Sequence, residues 1–467
     1  MTTFLLNDSI INTDAHPGTT LLDFVRYRQV LPGTKIGCRE GDCGACTVLE
    51  GRMDEEKLHY RSIVSCLTPL GNAHGKHIVT VEGINMDACS PVQQAMVDQN
   101  GTQCGFCTPG FIMSLTGHTM AYEPSEEKSA IDSVNGNICR CTGYKSIERA
   151  AISISKMLKD KNPKDPLNWL IQHHFLPSYF KEIPERLSKI KNHQNANTEV
   201  QQIIGGGTDL MVQKPDAVAE SSLNLFFDRS DLKEIRREND QIMIGSAATA
   251  NDIMHSEILN NLFSDLKKHY KLISSDPIRN MGTLAGNIVN ASPIADLTIY
   301  FLALGATLLL DKDGNEREIP LKDFFLDYKK MDLKKGEYIK SVIFPVPAEP
   351  FGFNFEKVSK RTHLDIASVN AAAYIKMEQD IITECRLAVG GVSPVPLFLK
   401  ESASWLTGKN LNAKTLKEAI DVLNNEIAPI SDVRGSKEYK RLLARQLFFA
   451  HFIEMFPDRF SLQELII

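Results

Sequence analysis

The sequence contains no run of about twenty apolar residues, the length a helix needs to cross a bilayer. Its most apolar stretch, Ile299 to Leu310, lies between Asp296 and Asp311 and reads as buried core. The first residues, Met1-Thr2-Thr3-Phe4-Leu5-Leu6, lack a basic region and a long apolar segment, so no signal peptide is expected and the chain is assigned to the cytoplasm. Basic residues are not in excess. The net charge of −6 argues against nucleic acid as a partner, because phosphate binding needs a basic surface. Low-complexity tracts are absent, and 43% hydrophobic with 24% charged residues is the balance of a globular protein. Cysteine almost disappears beyond residue 141, where only Cys385 remains of a total of 10. In a reducing compartment structural disulfides are rare, and cysteines gathered at one end suggest metal.

The 467 residues fit roughly three domains of ~150 residues. Apolar runs at 3–6 and 10–12 around Asn7-Asp8 predict a hairpin. A helix is expected from Thr19 or Thr20, with Leu21, Leu22 and Val25 on one face. A strand at Thr47-Val48-Leu49 should lead into a second hairpin around Glu50-Gly51. From about residue 84 the pattern becomes helical. Ser90 is placed to cap a helix with Pro91 in its first turn and Val92, Ala95 and Met96 inward, and Gly101 should end it. Further helices are expected after Pro109, after Ser125 and from Ser146, the last with Ile147, Ala150, Ala151 and Ile154 on one face. Residues 159 to 195 read as a connection with polar ends whose middle, with Leu167, Trp169, Leu170 and Phe175, packs along a neighbouring surface. Short strands and helices alternate to about 348. The remainder mixes strands with helices near 413–423 and 436–456, the latter burying Leu442, Leu443 and Leu447.

Cys38, Cys43 and Cys46, followed by Cys66 after nineteen intervening residues, have plant-type ferredoxin spacing. Glycines among them let backbone N–H groups turn inward toward a negatively charged cluster. A zinc site would favour two close-spaced pairs, whereas here one cysteine stands apart. Cys104 and Cys107, followed by Cys139 and Cys141, form a second set that in isolation fits either zinc or a [2Fe–2S] cluster. The first pair, Cys104 and Cys107, is expected at a helix start, where backbone amides favour thiolates, and the second pair in a turn at the other end of a helical unit. Further along, Ile203-Ile204 runs into Gly205-Gly206-Gly207. Such a triplet suits a pyrophosphate nest but equally a plain tight turn. The segment Arg279 to Leu297 gathers small residues, amides and hydroxyls before Asp296, which suits a ribityl-diphosphate chain better than a metal.

The segments Cys38-Arg39-Glu40-Gly41-Asp42-Cys43-Gly44-Ala45-Cys46, Gln103-Cys104-Gly105-Phe106-Cys107-Thr108-Pro109-Gly110 and Asn137-Ile138-Cys139-Arg140-Cys141-Thr142-Gly143-Tyr144 resemble the xanthine dehydrogenase and aldehyde oxidase family of molybdenum hydroxylases. Arg39 stands where many of that family have glycine. The resemblance implies an α+β multidomain chain. Its parts are a β-grasp plant-type 2Fe–2S ferredoxin domain (1–83), a helical-bundle 2Fe–2S domain (84–160), a linker (161–192), a vanillyl-alcohol oxidase-type FAD domain (193–348) and a flavoprotein C-terminal domain (349–467). It also implies cluster ligands Cys38, Cys43, Cys46 and Cys66, and Cys104, Cys107, Cys139 and Cys141. Gly205, Gly206, Gly207, Thr208, Asp209 and Leu210 are implied to cradle the FAD diphosphate. Thr283, Asn287 and Asn290 are implied to bind the diphosphate and ribityl chain, and Asp296 a further part of the cofactor. Ile339 should lie near the flavin ring, and Lys357 should contact it unless it is an ordinary solvated lysine.

Thr362-His363-Leu364-Asp365 departs from the more acidic stretch of animal relatives. The piece Ser431-Asp432-Val433-Arg434-Gly435-Ser436 resembles the family's C-terminal domain. Cys89 and Cys385 match no ligand position and are expected to be partly buried, inert thiols. The implied role is that of an oxidoreductase subunit without hydroxylating residues of its own. It carries electrons from a partner's molybdenum centre through the helical-domain cluster, the plant-type cluster and FAD to NAD. The implied partner is a molybdopterin-binding large subunit, assembled as two of each chain and acting on hypoxanthine or xanthine, with Gln103 facing the pterin.

Overall fold

The computed structural model describes residues 1–54, 57–190 and 202–465. They form two compact units, Met1–Asp228 with Ser275–Gly282, and Arg229–Ser274 with Thr283–Ile467. The expected FAD segment, 193–348, therefore contributes to both.

The first unit begins with a five-stranded mixed sheet in the order Ser9–Thr13, Thr2–Leu6, His77–Val79, Thr47–Asp54, Lys57–Val64. The first hairpin is antiparallel with Leu6 opposite Ser9, while Thr2–Leu6 runs parallel to His77–Val79. The helix Leu21–Asp23, continued by Phe24–Arg28, lays Leu21, Leu22, Phe24 and Val25 against the sheet. Thr20 starts it by accepting the Asp23 N–H at 3.1 Å. A helix over a mixed sheet is the β-grasp arrangement expected. The second hairpin does not turn at Glu50-Gly51. These residues lie mid-strand, opposite Arg61 and Tyr60. Glu50 is buried because it pairs with Arg61 at 2.6 Å and Lys76 at 3.1 Å. Gly51 is small because the Tyr60 ring covers it: a Cβ there would lie 2.5 Å from the ring.

Four helices follow: Pro91–Asp98, Thr108–Thr119, Glu127–Asp132 and Lys145–Met157. Ser90 and Gln93 form a reciprocal cap at the first. Gly101 closes it by donating its N–H to Met96 O at 2.7 Å. Val92, Met96, Phe111, Ile147, Ala150 and Ile154 meet in one core. The connection is largely helical, with turns at Pro166–Gln172, Ser178–Glu182 and Ile183–Ser188. Leu170, Phe175, Leu176 and Phe180 complete the core of the helical region. Its second polar end, Lys191 to Asn195, and the expected boundary at 192/193 lie outside the described residues. Gln202–Ile204 pairs in parallel with Leu223–Leu225.

The second unit holds an antiparallel sheet in the order Asn315–Pro320, Thr307–Lys312, Tyr338–Pro345, Gln241–Gly245, Ile235–Glu238. Helices Leu284–Val289 and Asp296–Ala303 belong to its core. Ile299 to Leu310 is mostly buried as expected, with Gly305 exposed at the turn between that second helix and the strand from Thr307. Strands Phe351–Val358, Val369–Glu378, Ile381–Gly390 and Leu397–Phe398 form another antiparallel sheet, followed by helices Ala413–Glu426 and Lys437–Met455. Ser436 caps the helix Lys437–Met455, whose inward face is Ala444, Leu447, Phe448 and Phe452. Leu442 falls off this face and is exposed, contrary to expectation, because the helical period places 444, 447, 448 and 452 together. Among the described residues, no helix is long and apolar enough to cross a membrane.

Candidate iron–sulfur and flavin sites

The loop Gly37–Cys46 leads directly into the strand Thr47–Asp54. The structure brings its cysteines and Cys66 together as two thiol pairs, Cys38 with Cys43 and Cys46 with Cys66. Two glycines are needed for the path, since Gly41 has φ +80° and Gly44 φ +66°. The Glu40 N–H donates to Cys38 Sγ at 3.3 Å, and the Gly41 N–H is donated to Cys66. Cys46 and Cys66 are buried, at 2% and 3% exposure. The hydrogen bond with Cys43, helped by backbone N–H groups and opposed by burial, lowers the Cys38 thiol to about 5, and the same contact raises Cys43. Arg39 adopts φ +59°, a left-handed conformation that costs a side chain but not a glycine, and grips Asp23 through two bonds of 2.6 and 2.9 Å.

The second set also forms two pairs, Cys104 with Cys141 and Cys107 with Cys139. Cys107 directly precedes the helix Thr108–Thr119, and Cys139 and Cys141 precede Lys145–Met157. Burial opposes the Cys139 thiolate, but the Thr142 hydroxyl and N–H, donating at 3.1 and 3.5 Å, outweigh it and lower that thiol. Burial and the neighbouring Cys139 push Cys107 up to about 12. Cys104 and Cys141 are exposed. So are Gln103, Phe106 and Tyr144. Gln103 makes no cap for the Cys104 loop: its side chain bonds to none of the described residues.

The two cysteine loops are tied together by bonds that sequence reading missed. Ile138 N–H donates to Cys43 O at 3.0 Å, and Asn137 Nδ2 to Gly44 O at 3.0 Å. Asn137 is buried and stands two residues before Cys139. A diiron core takes two thiolates on each iron, so two sets of two pairs with inward N–H groups fit two [2Fe–2S] clusters. Cys89 is exposed rather than partly buried, on the turn before the Ser90 cap, while Cys385 is buried and its thiol raised by that burial.

The predicted flavin residues divide between the units. In the first, Gly206 and Gly207 are required by close packing. A Cβ on Gly206 would lie 1.8 Å from Met281 O, and one on Gly207, where φ is +89°, 2.5 Å from Leu67 O. Gly205 O accepts from Asn72 Nδ2 at 2.9 Å. Thr208, Asp209 and Leu210 follow, half-exposed, into the short helix Leu210–Gln213.

In the second unit, Thr283 caps Leu284–Val289 by accepting the Gly286 N–H. Asn287 Oδ1 accepts from Thr298 N–H and hydroxyl, each at 3.1 Å, while its Nδ2 donates to none of the described residues. Asn290 is held by Lys329, whose Nζ donates to its carbonyl and, at 2.9 Å, to its Oδ1. Asp296 accepts from Lys357 Nζ at 2.7 Å and from Asn370 Nδ2 at 2.5 Å. Lys357 is thus a buried ion-pair partner, not a solvated lysine, and it also donates to Leu272 O at 2.9 Å. Ile339 lies at 2% exposure within the sheet core. The free Asn287 amide donor, a capped helix turn and a buried carboxylate–ammonium pair form a polar set suited to a hydroxylated, phosphorylated cofactor.

Comparison with known proteins agrees along nearly the whole chain. Residues 4–71 match the family of 2Fe-2S iron-sulfur cluster binding domains, and 80–152 that of [2Fe-2S] binding domains. Residues 176–347 match the FAD binding domain in molybdopterin dehydrogenase, and 355–455 the CO dehydrogenase flavoprotein C-terminal domain. The chain belongs to the molybdenum hydroxylases, as their iron–sulfur and flavin part. It holds two [2Fe–2S] domains and an FAD-binding domain, and its role is electron transfer. It is 31% identical to the xanthine dehydrogenase of Oryza sativa subsp. japonica, over 93% of this chain and 38% of that protein. To aldehyde oxidase 2 of Rattus norvegicus it is 28% identical, over 97% and 39%. The chain thus spans well under half the length of these relatives. Reconstituted CO dehydrogenase from Oligotropha carboxidovorans aligns with TM-score 0.52 and 26% identity, over 55% of this chain and 90% of that one. Quinoline 2-oxidoreductase from Pseudomonas putida 86, at 24% identity and TM-score 0.50 over 54% and 88%, shares the fold.

Proposed function

We propose that this chain is the electron-transfer subunit of a cytoplasmic xanthine dehydrogenase, serving a molybdopterin-binding partner that hydroxylates hypoxanthine or xanthine and delivering electrons to NAD. The observation that carries the relay is the contrast between the two cysteine sets: Cys104 and Cys141 lie at the surface, whereas Cys46 and Cys66 are buried. An electron entering from a partner meets the exposed Cys104 and Cys141 first. Gln103, Phe106 and Tyr144 border that entry and form the face for the partner's pterin. Cys38, Cys43, Cys46 and Cys66 hold the inner cluster, tied to the outer loop by the Ile138–Cys43 backbone bond. When bound, the clusters handle single electrons and the flavin links them to two-electron chemistry.

For the flavin, Asn287 supplies a free amide donor, and Asp296, paired with Lys357, begins the helix whose Thr298 bonds Asn287. Gly205 to Leu210, Thr283, Asn290 and Ile339 complete the assigned set. The xanthine assignment is supported by identity to the rice enzyme across both iron–sulfur regions and the flavin region. A second reading, the same role for an aldehyde or another N-heterocycle, is favoured by the match to aldehyde oxidase 2.

The test is purification with the partner chain, metal and sulfide analysis, and turnover. Four irons and four acid-labile sulfides per chain, with NAD reduction driven by xanthine, are expected. Zinc in place of iron overturns the cluster assignment. Turnover of aldehydes but not purines selects the second reading.

A further inference from the structure

The segment Ser275–Gly282 is continuous at both ends with chain of the second unit, yet it packs within the first. Its contacts there are specific. Asn280 Nδ2 donates to Ser62 O at 2.9 Å, and the Asp276 N–H to Asn135 Oδ1 at 3.0 Å. The Thr68 hydroxyl is directed at Met281 Sδ at 3.9 Å. Between these anchors, Ile278 packs on the apolar cluster that contains Cys46, Cys66 and Leu67. A Cβ on Gly41 would lie 2.7 Å from Leu67 Cδ1 and 2.8 Å from Ile278 Cδ1, so these two side chains together cover Gly41. The Gly41 N–H is in turn donated to the sulfur of Cys66.

We propose that Ile278, encoded within the flavin-domain sequence, is a positioning residue that sets the reduction potential of the cluster held by Cys38, Cys43, Cys46 and Cys66. The proposal rests on that ligand assignment. Reduction adds one electron and one negative charge to the cluster, and no bond forms or breaks. Water near the sulfurs stabilises the added charge, so an apolar cover lowers the potential. Ile278 keeps water from the Gly41 amide and the Cys66 sulfur without being a ligand itself. Pro277, its neighbour, faces Gly136 in the helical region, where a Cβ would lie 2.9 Å from Pro277 Cδ. Truncating Ile278 therefore leaves the second cluster's surroundings in place.

The experiment is a redox titration of the holoprotein, following each cluster's paramagnetic signal. The signal missing from a Cys43→Ala variant identifies the inner cluster. Without four irons and two signals in the unaltered protein, the ligand assignment itself fails, and that failure is visible before any Ile278 variant is made. With both present, Ile278→Ala should raise the inner potential and Ile278→Ser raise it further. Ile278→Leu should restore it, and the outer potential should not move. Iron and FAD content should stay unchanged. If Ile278→Ala loses iron, Ile278→Val provides the smaller step in the same direction. Unmoved inner potentials across the series, or equal shifts at both clusters, overturn the proposal.

Discussion

Lys357 Nζ lies 2.7 Å from Asp296 Oδ2, with the two side chains only 2% and 12% exposed. The sequence suggests each as a separate cofactor contact, but in the fold they neutralise one another. A buried charge left without its partner costs about 3–5 kcal/mol, whereas replacing the whole pair by apolar groups is often neutral. Asp296→Ala and Lys357→Met should each lower the melting temperature. The double replacement Asp296→Leu with Lys357→Met should recover much of the loss. FAD occupancy should fall in all three while iron content holds. Calorimetry with flavin and iron analysis checks this, and full FAD retention in the double variant would remove both residues from the cofactor site.

Acid should destabilise the protein in two stages. Burial holds the imidazoles of His77 and His451 down at about 3 and that of His269 at about 4, against an ordinary 6.5. The unfolded chain therefore takes up protons first, and their contribution is complete above pH 6.5 and lost as pH falls toward 3. For Glu50 burial opposes ionisation, but Arg61 and Lys76 outweigh it and hold the carboxyl at about 2, against 4.5. Its contribution is present above pH 4.5 and lost below. Denaturant unfolding against pH should show a decline from 6.5 that continues below 4.5, where Glu50 adds one further proton. Glu50→Gln should reduce the loss below 4.5. At neutral pH it should cost about 3–5 kcal/mol, since Lys76 and Arg61 lose their buried partner.

What could be read from the sequence is mostly local. Ser90 caps its helix as expected, and Thr20 and Ser436 cap the helices expected to begin near them, because a cap needs only neighbours three residues away. The cysteine spacing identified two sets. Errors arose where a distant residue decides. Glu50-Gly51 has turn composition, but Lys76 and Tyr60 hold it within a strand. For Gly206 and Gly207, read as a phosphate nest or a plain tight turn, the fold adds what the sequence could not show, close packing on Met281 and Leu67. Arg279 to Gly282 read as the start of a cofactor loop, but those residues are anchored on the iron–sulfur unit through Ser62 and Thr68. Asn137, which joins the two cysteine loops, carried only the weak signal of an amide near Cys139.

Arg39 offers a test of strain against an ion pair. Its left-handed backbone costs about 1–2 kcal/mol relative to glycine. Its pairing with Asp23, at 44% and 30% exposure, returns at most about 1 kcal/mol. Arg39→Gly should therefore change stability little, in either direction. Asp23→Ala, which keeps the strain and removes the pair, should be the more damaging. Thermal melts of the two variants in low and high salt separate the terms, since only the ion pair is screened. A large loss in Arg39→Gly would mean that the side chain holds the cysteine loop by more than this pair.

The two cysteine sets should differ in how easily they lose iron. Cys104 and Cys141 are exposed, whereas Cys46 and Cys66 are buried beneath Leu67. A chelator must reach iron through the sulfurs that surround it, so access sets the order of loss. In this chain without a partner, chelation should be biphasic, with two irons leaving early and two late. The early loss should remove the signal that persists in Cys43→Ala, because that variant lacks only the inner cluster. Adding the partner chain should slow the early phase and leave the late one unchanged, since only the outer set borders the Gln103, Phe106 and Tyr144 face. Stopped-flow absorbance with paramagnetic resonance of quenched samples reads both phases. Early loss of the inner cluster, or a partner that slows both phases alike, would mean that the exposed face is not where the partner sits.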